Sequence, residues 1–336
     1  MRFHGLEGRA LSEKLRDSND GPVRIIAVTI LLSIILSWQA AAYGSQALPS
    51  TGPVEDKAAR LVPARTIPVP TTVSPELEKN IAQPVGPNER FWSTVPKSTE
   101  EWRQLIGQTE KAGVEGVAKL LKRYPVRIEG QTISGVRTFV VLPEYLPEEN
   151  RNRILVHVHG GAYVFFGGEA GVGEAILAAY HGKMKVVSVD YRMPPDHPFP
   201  AAPDDTVAVY KELLKTYKPH DIAIFGTSSG GGLAAATILR MRDLNIPLPA
   251  AVGLGTPWVD ITRTGDTLHT NEQIDDVLVV SGGLLDAAAK LYAGSIDMKN
   301  PLVSPVYGDF GRGFSSHHTH FRHPRPFVEL HSADAP

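Results

Sequence analysis

Two short glycine-rich motifs hold the residues of this chain that could do chemistry. The first is Gly226-Thr227-Ser228-Ser229-Gly230, which fits the pattern Gly-x-Ser-x-Gly and lies between an apolar run and a helical pattern. A tight strand-to-helix turn strains its central residue and lifts the hydroxyl above the sheet, beside the N–H groups of the next helix. A helix N-cap serine or a phosphate-binding loop are the alternatives, but no Gly-Lys-Ser/Thr follows. We predict that Ser228 is a nucleophile for acyl transfer.

The second motif is a His-Gly-Gly-Ala segment that closes an earlier apolar run. Two adjacent glycines allow backbone N–H groups to converge on one point, as acyl transfer requires where negative charge develops. We assign these oxyanion donors to Gly160, Gly161 and Ala162, with the amide of Ser229. His159 could act as a base or a metal ligand, but it has no carboxylate partner nearby in the sequence. We expect its ring to form a hydrogen bond within the loop and to hold the loop in shape.

Composition excludes several other classes of protein. The chain has 336 residues, of which 42% are hydrophobic and 21% charged, as in a globular protein. Its net charge of −2 gives no basic surplus, so we expect no nucleic-acid partner. It has no cysteine, which excludes a disulfide framework, a thiolate nucleophile and a cysteine-ligated metal.

The N-terminal residues 1–44 have the pattern of a secretory signal. An apolar run at residues 25–38 follows Arg24 and precedes small residues at 40–44. As a helix this run would rise about 21 Å, short of the roughly 30 Å hydrocarbon core of a membrane. We expect export to the periplasm or the medium, with cleavage after Ala42 or Gly44. The alternative is an uncleaved membrane anchor at residues 25–38, the one case in which we expect a membrane partner.

The remainder divides into a linker, a helical segment and an α/β core. Residues 45–73 are rich in proline and alanine, which predicts a linker, and residues 74–125 are predicted to form a helical segment. In that segment we expect helices at 74–83 and from the capping box Ser98-Thr99-Glu100-Glu101 to about 121.

From residue 126 to residue 314, apolar strand patterns alternate with helical ones. We predict an antiparallel pair at 126–128 and 136–142, further strands at 154–159, 186–190, 222–225 and 251–255, and helices at 203–217 and 229–242. Apolar strands spaced by amphipathic helices indicate an α/β fold, a mostly parallel sheet with both faces covered.

Three motifs in order resemble those of the hormone-sensitive-lipase family of α/β-hydrolases. They are HVHGGA, DYRMPPDHPFPAAPDD and GTSSGG, and the resemblance covers residues 136–310. It implies an α/β-hydrolase fold with an N-terminal helical cap that lines the acyl pocket. It also implies carboxylesterase or lipase activity on short or medium acyl esters, with no cofactor and no metal. Ser228 would then be the nucleophile, flanked by the motif glycines Gly226 and Gly230, and the His159 loop would be the oxyanion hole.

Two features of the matched motifs concern the oxyanion loop. The family usually has a third glycine where Ala162 stands, but alanine keeps the N–H group, so we expect the oxyanion hole to survive. Asp190 and Arg192 are expected to brace the oxyanion loop through buried ion pairing.

The acid and base that a serine nucleophile needs are not identifiable. The family order is Ser, then Asp or Glu, then His, but the pattern stops near Phe314 and no Gly-x-x-Asp strand end follows. We favour a reading-frame shift, which would leave the 126–314 core without its last strands and make 315–336 an irregular tail. Alternatively a tail histidine is the base, with Asp309 or Glu329 as acid, or the tail histidines bind a metal. These histidines are His317, His318, His320, His323 and His331.

Three other acidic residues are not expected to be catalytic. Asp260 lies too early in the chain to be the triad acid, and we expect it to brace the loop that follows it. Asp275 and Asp276 resemble a family segment near the cap and pocket.

The function expected by lineage is hydrolysis of a small-molecule carboxylic ester through an acyl-serine intermediate. The alternatives are a catalytically impaired or inactive hydrolase that lacks the triad acid and base, including a ligand-binding relic, and a lactone hydrolase or amidase with the same machinery.

Overall fold

The computed structural model describes residues 68–82, 86–265, 267–272, 274, 278 and 282–311. The predicted signal segment 1–44, most of the linker, the tail 315–336 and the Asp275-Asp276 pair lie outside these residues. Across the described ranges, no helix has both the length and the apolar character to cross a membrane.

Three helices form the segment that precedes the sheet. They are α1 (Pro75–Ile81), α2 (Gly86–Ser93) and α3 (Thr99–Arg123). The predicted capping box is present in altered form. The Ser98 hydroxyl accepts a hydrogen bond from the Glu101 N–H at 3.2 Å, but the Glu101 carboxylate accepts from the Lys97 N–H rather than from that of Ser98. The predicted long helix is therefore confirmed, and it ends two residues later than expected.

The described residues form one six-stranded sheet. Its order is β1-β2-β4-β3-β5-β6; β1 pairs with β2 and β2 with β4 in antiparallel orientation, and all other pairs are parallel. The strands are β1 (Val126–Ile133), β2 (Val136–Pro143), β3 (Ile154–Val158), β4 (Lys185–Val189), β5 (Ile222–Thr227) and β6 (Ala251–Gly255). The predicted mostly parallel α/β sheet is confirmed, with a longer first hairpin than expected.

Helices cover both faces of this sheet because side chains alternate along each buried strand. Val140 and Val187 face one core, which is completed by α5 and α6, while their neighbours Val141 and Val186 face a second core with α3 and α4. These helices and the two that follow are α4 (Gly173–Gly182), α5 (Ala201–Leu213), α6 (Ser229–Asp243), α7 (Thr267–Thr270) and α8 (Leu284–Ala293). The helix predicted at 203–217 begins two residues earlier and ends four residues earlier.

The register of the sheet places the two motifs side by side. Strands β3 and β5 are parallel neighbours, with Ile154 opposite Ile222 and His157 opposite Phe225. Both strands therefore end at the same edge of the sheet, one in the His-Gly-Gly segment and the other at Ser228.

Candidate active site

Ser228 occupies a strained turn between β5 and α6. Its φ of 57° and ψ of −125° lie outside the regions that residues with a side chain readily adopt. The main chain around it is fully engaged, since the Ser228 N–H donates to the Gly255 carbonyl at 2.9 Å and its carbonyl accepts from the Trp258 N–H at 2.8 Å. Ser228 is half-buried, so its side chain remains partly accessible. The conformation is the strained one that the Gly-x-Ser-x-Gly motif predicts.

The motif glycines allow the end of β3 to lie directly against this turn. A Cβ atom at Gly226 would collide with the Val158 carbonyl and lie 2.7 Å from the backbone of Gly230. A Cβ atom at Gly230 would meet the same carbonyl and lie 2.7 Å from the carbonyl carbon of His159. There is therefore no room for a side chain at Gly226 or Gly230. Because glycine has no side chain, the two motifs can lie in contact.

The His-Gly-Gly segment reaches Ser228 at close range. A Cβ atom at Gly160 would be 3.5 Å from the Ser228 Cβ atom. Gly161, Ala162 and Tyr163 have φ values of 118°, 53° and 64°, a left-handed run that turns the chain back sharply. The Gly161 carbonyl closes the turn by accepting from the Phe165 N–H at 2.8 Å.

Backbone amides at this turn are left without acceptors. Within the described residues, the N–H groups of Gly160, Gly161 and Ala162 donate no hydrogen bond. Ser229 is the first residue of α6, where an amide has no acceptor within its own helix. The four amides assigned as oxyanion donors are thus uncommitted in the segments that adjoin Ser228.

His159 forms the hydrogen bond within the loop that the sequence predicts. Its Nδ1 donates to the Gly160 carbonyl at 2.7 Å, and its ring stacks on Tyr191 with 4.3 Å between ring centres. Burial lowers the pKa of His159 to about 4. Its Nε2 has no hydrogen-bond partner among the described residues. The imidazole is therefore neutral at pH 7 and suited to holding the loop.

Asp190 and Arg192 do not pair in the way expected. Asp190 pairs with Arg137 and accepts from the Gly168 N–H at 2.8 Å, whereas Arg192 pairs with Asp205 at 2.7 Å. Only the carboxylates are buried, because the side chains of Arg137 and Arg192 are 65% and 54% exposed. The expectation of buried ion pairs is therefore corrected to two half-exposed pairs, of which only that of Asp190 contacts the loop after Ala162.

The described residues supply no base for Ser228. None of their side chains forms a hydrogen bond with its hydroxyl. His157 is fully buried and committed elsewhere, with Nδ1 2.9 Å from the Ser188 hydroxyl and Nε2 3.3 Å from the Glu174 carboxylate. Asp260 accepts hydrogen bonds from Thr262 and Thr264, in agreement with its predicted role as a loop brace. The acid and base stay unassigned, and the tail histidines lie outside the described residues.

Two contacts around the loop were not foreseen from the sequence. The Tyr191 hydroxyl donates to the His159 carbonyl at 2.8 Å, and the Tyr163 hydroxyl donates to the Trp258 carbonyl at 3.2 Å. In the sequence Tyr191 lies between Asp190 and Arg192, the two charged residues that open the DYRMPPDHPFPAAPDD motif. Nothing in the local sequence marks it as a hydrogen-bond donor to a loop about 30 positions earlier.

The helical segment contacts the oxyanion loop through aromatic side chains. The Phe165 ring centre lies 6.3 Å from that of Trp102 and 6.4 Å from that of Phe91. Trp92 and Ala162 belong to the same buried cluster. The segment at 74–125 is therefore packed against the site.

Comparison with known proteins gives concordant matches. A family profile described as the alpha/beta hydrolase fold matches residues 155–319. An acetyl-hydrolase of Streptomyces hygroscopicus is 35% identical over 48% of this chain and 54% of its own length. An esterase of Acinetobacter venetianus is 33% identical over 58% of this chain and 64% of its own length. This chain thus spans about half to two thirds of these curated relatives.

Solved structures extend the similarity. The crystal structure of an esterase, E25, is 40% identical, with a TM-score of 0.72 over 76% of this chain and 78% of that one. An esterase from the bacterial hormone-sensitive lipase family is 29% identical, with a TM-score of 0.56 over 70% of this chain and 74% of its own. With the strained serine, the adjoining His-Gly-Gly loop and the sheet order, these matches show that the chain belongs to the hormone-sensitive-lipase-like family of α/β-hydrolases.

Proposed function

We propose that this protein hydrolyses carboxylic esters through an acyl-enzyme intermediate on Ser228. The observation that carries the proposal is the conformation of Ser228 directly beside three consecutive uncommitted amides. The names of the relatives, esterase and acetyl-hydrolase, support the same reaction class.

The chemistry follows from this arrangement. The Ser228 oxygen attacks the ester carbonyl carbon, and the carbonyl oxygen gains negative charge in the tetrahedral intermediate. The amides of Gly160, Gly161, Ala162 and Ser229 stabilise that charge, a contribution worth about 3 kcal/mol for a single donor in a comparable site. Collapse of the intermediate expels the alcohol, and water then releases the acid from the serine. This reaction needs no cofactor. The group that takes the serine proton is not assigned.

Two readouts test the proposal with the full chain. Hydrolysis of p-nitrophenyl acetate and butyrate measures turnover, and a fluorophosphonate probe followed by peptide mass spectrometry measures covalent capture of a nucleophilic serine. We expect both in the unaltered protein and neither in Ser228→Ala. The matched control is Ser295→Ala, since Ser295 is exposed and lies outside both motifs.

The outcomes separate the competing functions. Labelling of Ser228 with negligible turnover would favour a hydrolase impaired in its base, and no difference between Ser228→Ala and the unaltered protein in either readout would overturn the proposal. Rates on a lactone and an amide, compared with an ester of equal acyl length, place the substrate class.

We also propose that the protein is exported, on the strength of the N-terminal pattern at residues 1–44. Expression with a C-terminal tag, cell fractionation and intact-mass measurement test this. Export with cleavage gives a product that begins near Tyr43 or Ser45. Retention of the full N-terminus in the membrane fraction would indicate the anchor instead, and a full-length product in the cytosol would contradict both.

A further inference from the structure

A cavity of about 500 Å³ lies between α3, the first hairpin and the segments that follow the oxyanion loop and β4. Its wall includes Val164 and Gly167 of that loop, Glu110 of α3 and Met193 after β4, but neither Ser228 nor any of the assigned oxyanion donors. The volume is within the range typical of small-molecule sites. The cavity is therefore a separate space, and the ester chemistry proposed above does not use it.

Three arginines at the wall of this cavity are already compensated. Each forms an ion pair with an aspartate that also lines the cavity, so these pairs leave no net charge. The pairs are Arg103 with Asp196 at 2.7 Å, Arg137 with Asp190, and Arg192 with Asp205 at 2.7 Å.

Glu110 is the carboxylate that these pairs leave over. Within the described part of the chain, no basic side chain lies within ion-pair distance of it. It is half-buried, and a Cβ atom at Gly167 would lie 2.8 Å from its Oε1. Burial, the largest cause, and the nearby charge of Asp190 raise its pKa, and together they outweigh a hydrogen bond from the Gly167 N–H and the charge of Arg137, which lower it. A cation placed beside Glu110 would relieve the effects of burial and of Asp190.

Apolar side chains line the cavity next to this carboxylate. Ile106, one turn before Glu110 on α3, lines it together with Val164 and Met193. A partly buried carboxylate without an ion-pair partner of its own, set beside aliphatic side chains, suits a cationic head carrying a short hydrocarbon chain.

We propose that this cavity binds a small primary alkylamine, with its ammonium group on the Glu110 carboxylate and its chain against Ile106 and Met193. An anionic ligand is the opposing possibility, since the guanidinium groups keep spare N–H donors. It is less well matched, because an anion would add negative charge beside Glu110 while each arginine is already neutralised.

Isothermal titration calorimetry on the full chain at pH 8 tests the proposal, with n-hexylammonium chloride as the probe. We expect saturable binding at one site, at least tenfold weaker in Glu110→Gln. Glu115→Gln is the matched control, because Glu115 is exposed on the same helix and does not line the cavity; its affinity should be unchanged. Ser228→Ala should bind hexylammonium as tightly as the unaltered protein, which distinguishes this site from the ester site.

A second measurement on the unaltered protein does not depend on how any variant folds. Sodium hexanoate and n-hexanol have the same chain with an anionic and a neutral head, and we expect both to bind at least tenfold more weakly than hexylammonium. The absence of hexylammonium binding, equal binding of all three probes, or tighter binding of hexanoate would overturn the proposal. An absence of amine binding would not affect the ester-hydrolase proposal, because that proposal is tested by the turnover and labelling of Ser228.

Discussion

The Ser228 turn and the oxyanion loop lie in contact but are stabilised in different ways. At the turn, Gly226 and Gly230 allow main chain to pack on main chain, with contacts too close for any side chain. The loop also has close main-chain contacts at Gly160 and Gly161, but in addition it depends on side-chain hydrogen bonds, one from within the loop and two from residues that follow β4. His159 bonds to the Gly160 carbonyl, Tyr191 to the His159 carbonyl, and Asp190 to the Gly168 N–H.

This difference predicts different responses to substitution. Backbone packed against backbone cannot yield locally, so an added methyl group must displace a strand end or break the turn. A hydrogen bond from a side chain is removable at a cost set by what remains unpaired. A substitution at the turn should therefore cause a large loss of stability. Substitutions in the loop should cause smaller losses, which differ from one side chain to the next.

The largest effect is expected for Gly230→Ala. The new methyl group would lie 2.7 Å from the His159 carbonyl carbon and closer still to the Val158 carbonyl. We expect a loss of about 4 kcal/mol in the free energy of unfolding, together with loss of esterase activity. Chemical denaturation and p-nitrophenyl acetate hydrolysis measure the two effects.

Gly107→Ala is the matched control for that substitution. Gly107 also lies in a helix, α3, but a Cβ atom there would meet nothing within 4 Å. Alanine should raise the free energy of unfolding by about 0.5–1 kcal/mol, the usual gain at an open helical position. Equal effects at the two positions would contradict the conclusion that the turn has no room for a side chain.

Among the side chains that bond to the loop, removal of that of Asp190 should cause the largest loss of stability. Its partner Arg137 is 65% exposed and loses little when left alone, but the Gly168 N–H loses its acceptor. We expect Asp190→Ala to cost about 2–3 kcal/mol and Asp190→Asn, which keeps an acceptor oxygen, only about 1 kcal/mol. Thermal or urea unfolding of both variants measures the difference; equal costs would show that the charge matters more than the hydrogen bond.

The contacts of Asp190 also show which features of the site can be predicted from the sequence and which cannot. Both motifs and the parallel strands were predicted because apolar runs, paired glycines and capping residues are local signals. The partner of Asp190 depends on a register 53 positions apart, in which Thr138 pairs with Val189 and so places Arg137 opposite Asp190. The motif that contains Asp190 and Arg192 carries no signal for that register, so the sequence does not identify Arg137 as the partner.

The missed helices have a similar explanation. Helix α4 begins at Gly173 and α8 follows Gly283, and neither has a side chain that caps its first turn. Without a cap, a short helix that is stabilised by tertiary packing leaves a weak local signal. The base and acid are a different case, since no motif in the sequence identifies them.

His159 should make the loop sensitive to acid. Burial lowers its pKa from 6.5 in the unfolded chain to about 4 in the folded protein. Between these values the unfolded chain binds a proton that the folded protein excludes, so stability is full above pH 6.5 and falls as the pH drops toward 4. The expected loss is about 2 kcal/mol between pH 7 and pH 5.

Comparison with His159→Gln isolates this contribution from that of other titrating groups. The variant has no group titrating at that position, so its free energy of unfolding should fall less steeply over the same pH range, whatever its stability at pH 7. Parallel pH profiles for the two proteins would show that His159 is not the source of the acid sensitivity.

A small loss of stability is expected for Tyr191→Phe, and this variant separates the loop from the rest of the core. The variant keeps the ring that stacks on His159 and loses the hydroxyl, which donates to the His159 carbonyl and lies 3.5 Å from the His159 Nδ1, at a cost of about 1 kcal/mol. Tyr210→Phe removes a hydrogen bond of similar length, 2.9 Å to the Pro247 carbonyl at a part-buried position outside both motifs, and should cost about the same or less. If Tyr191 positions the amides that follow His159, only Tyr191→Phe lowers kcat on p-nitrophenyl butyrate, with KM little changed. An equal decrease in both variants would mean that the loop is held by the core as a whole rather than by this hydroxyl.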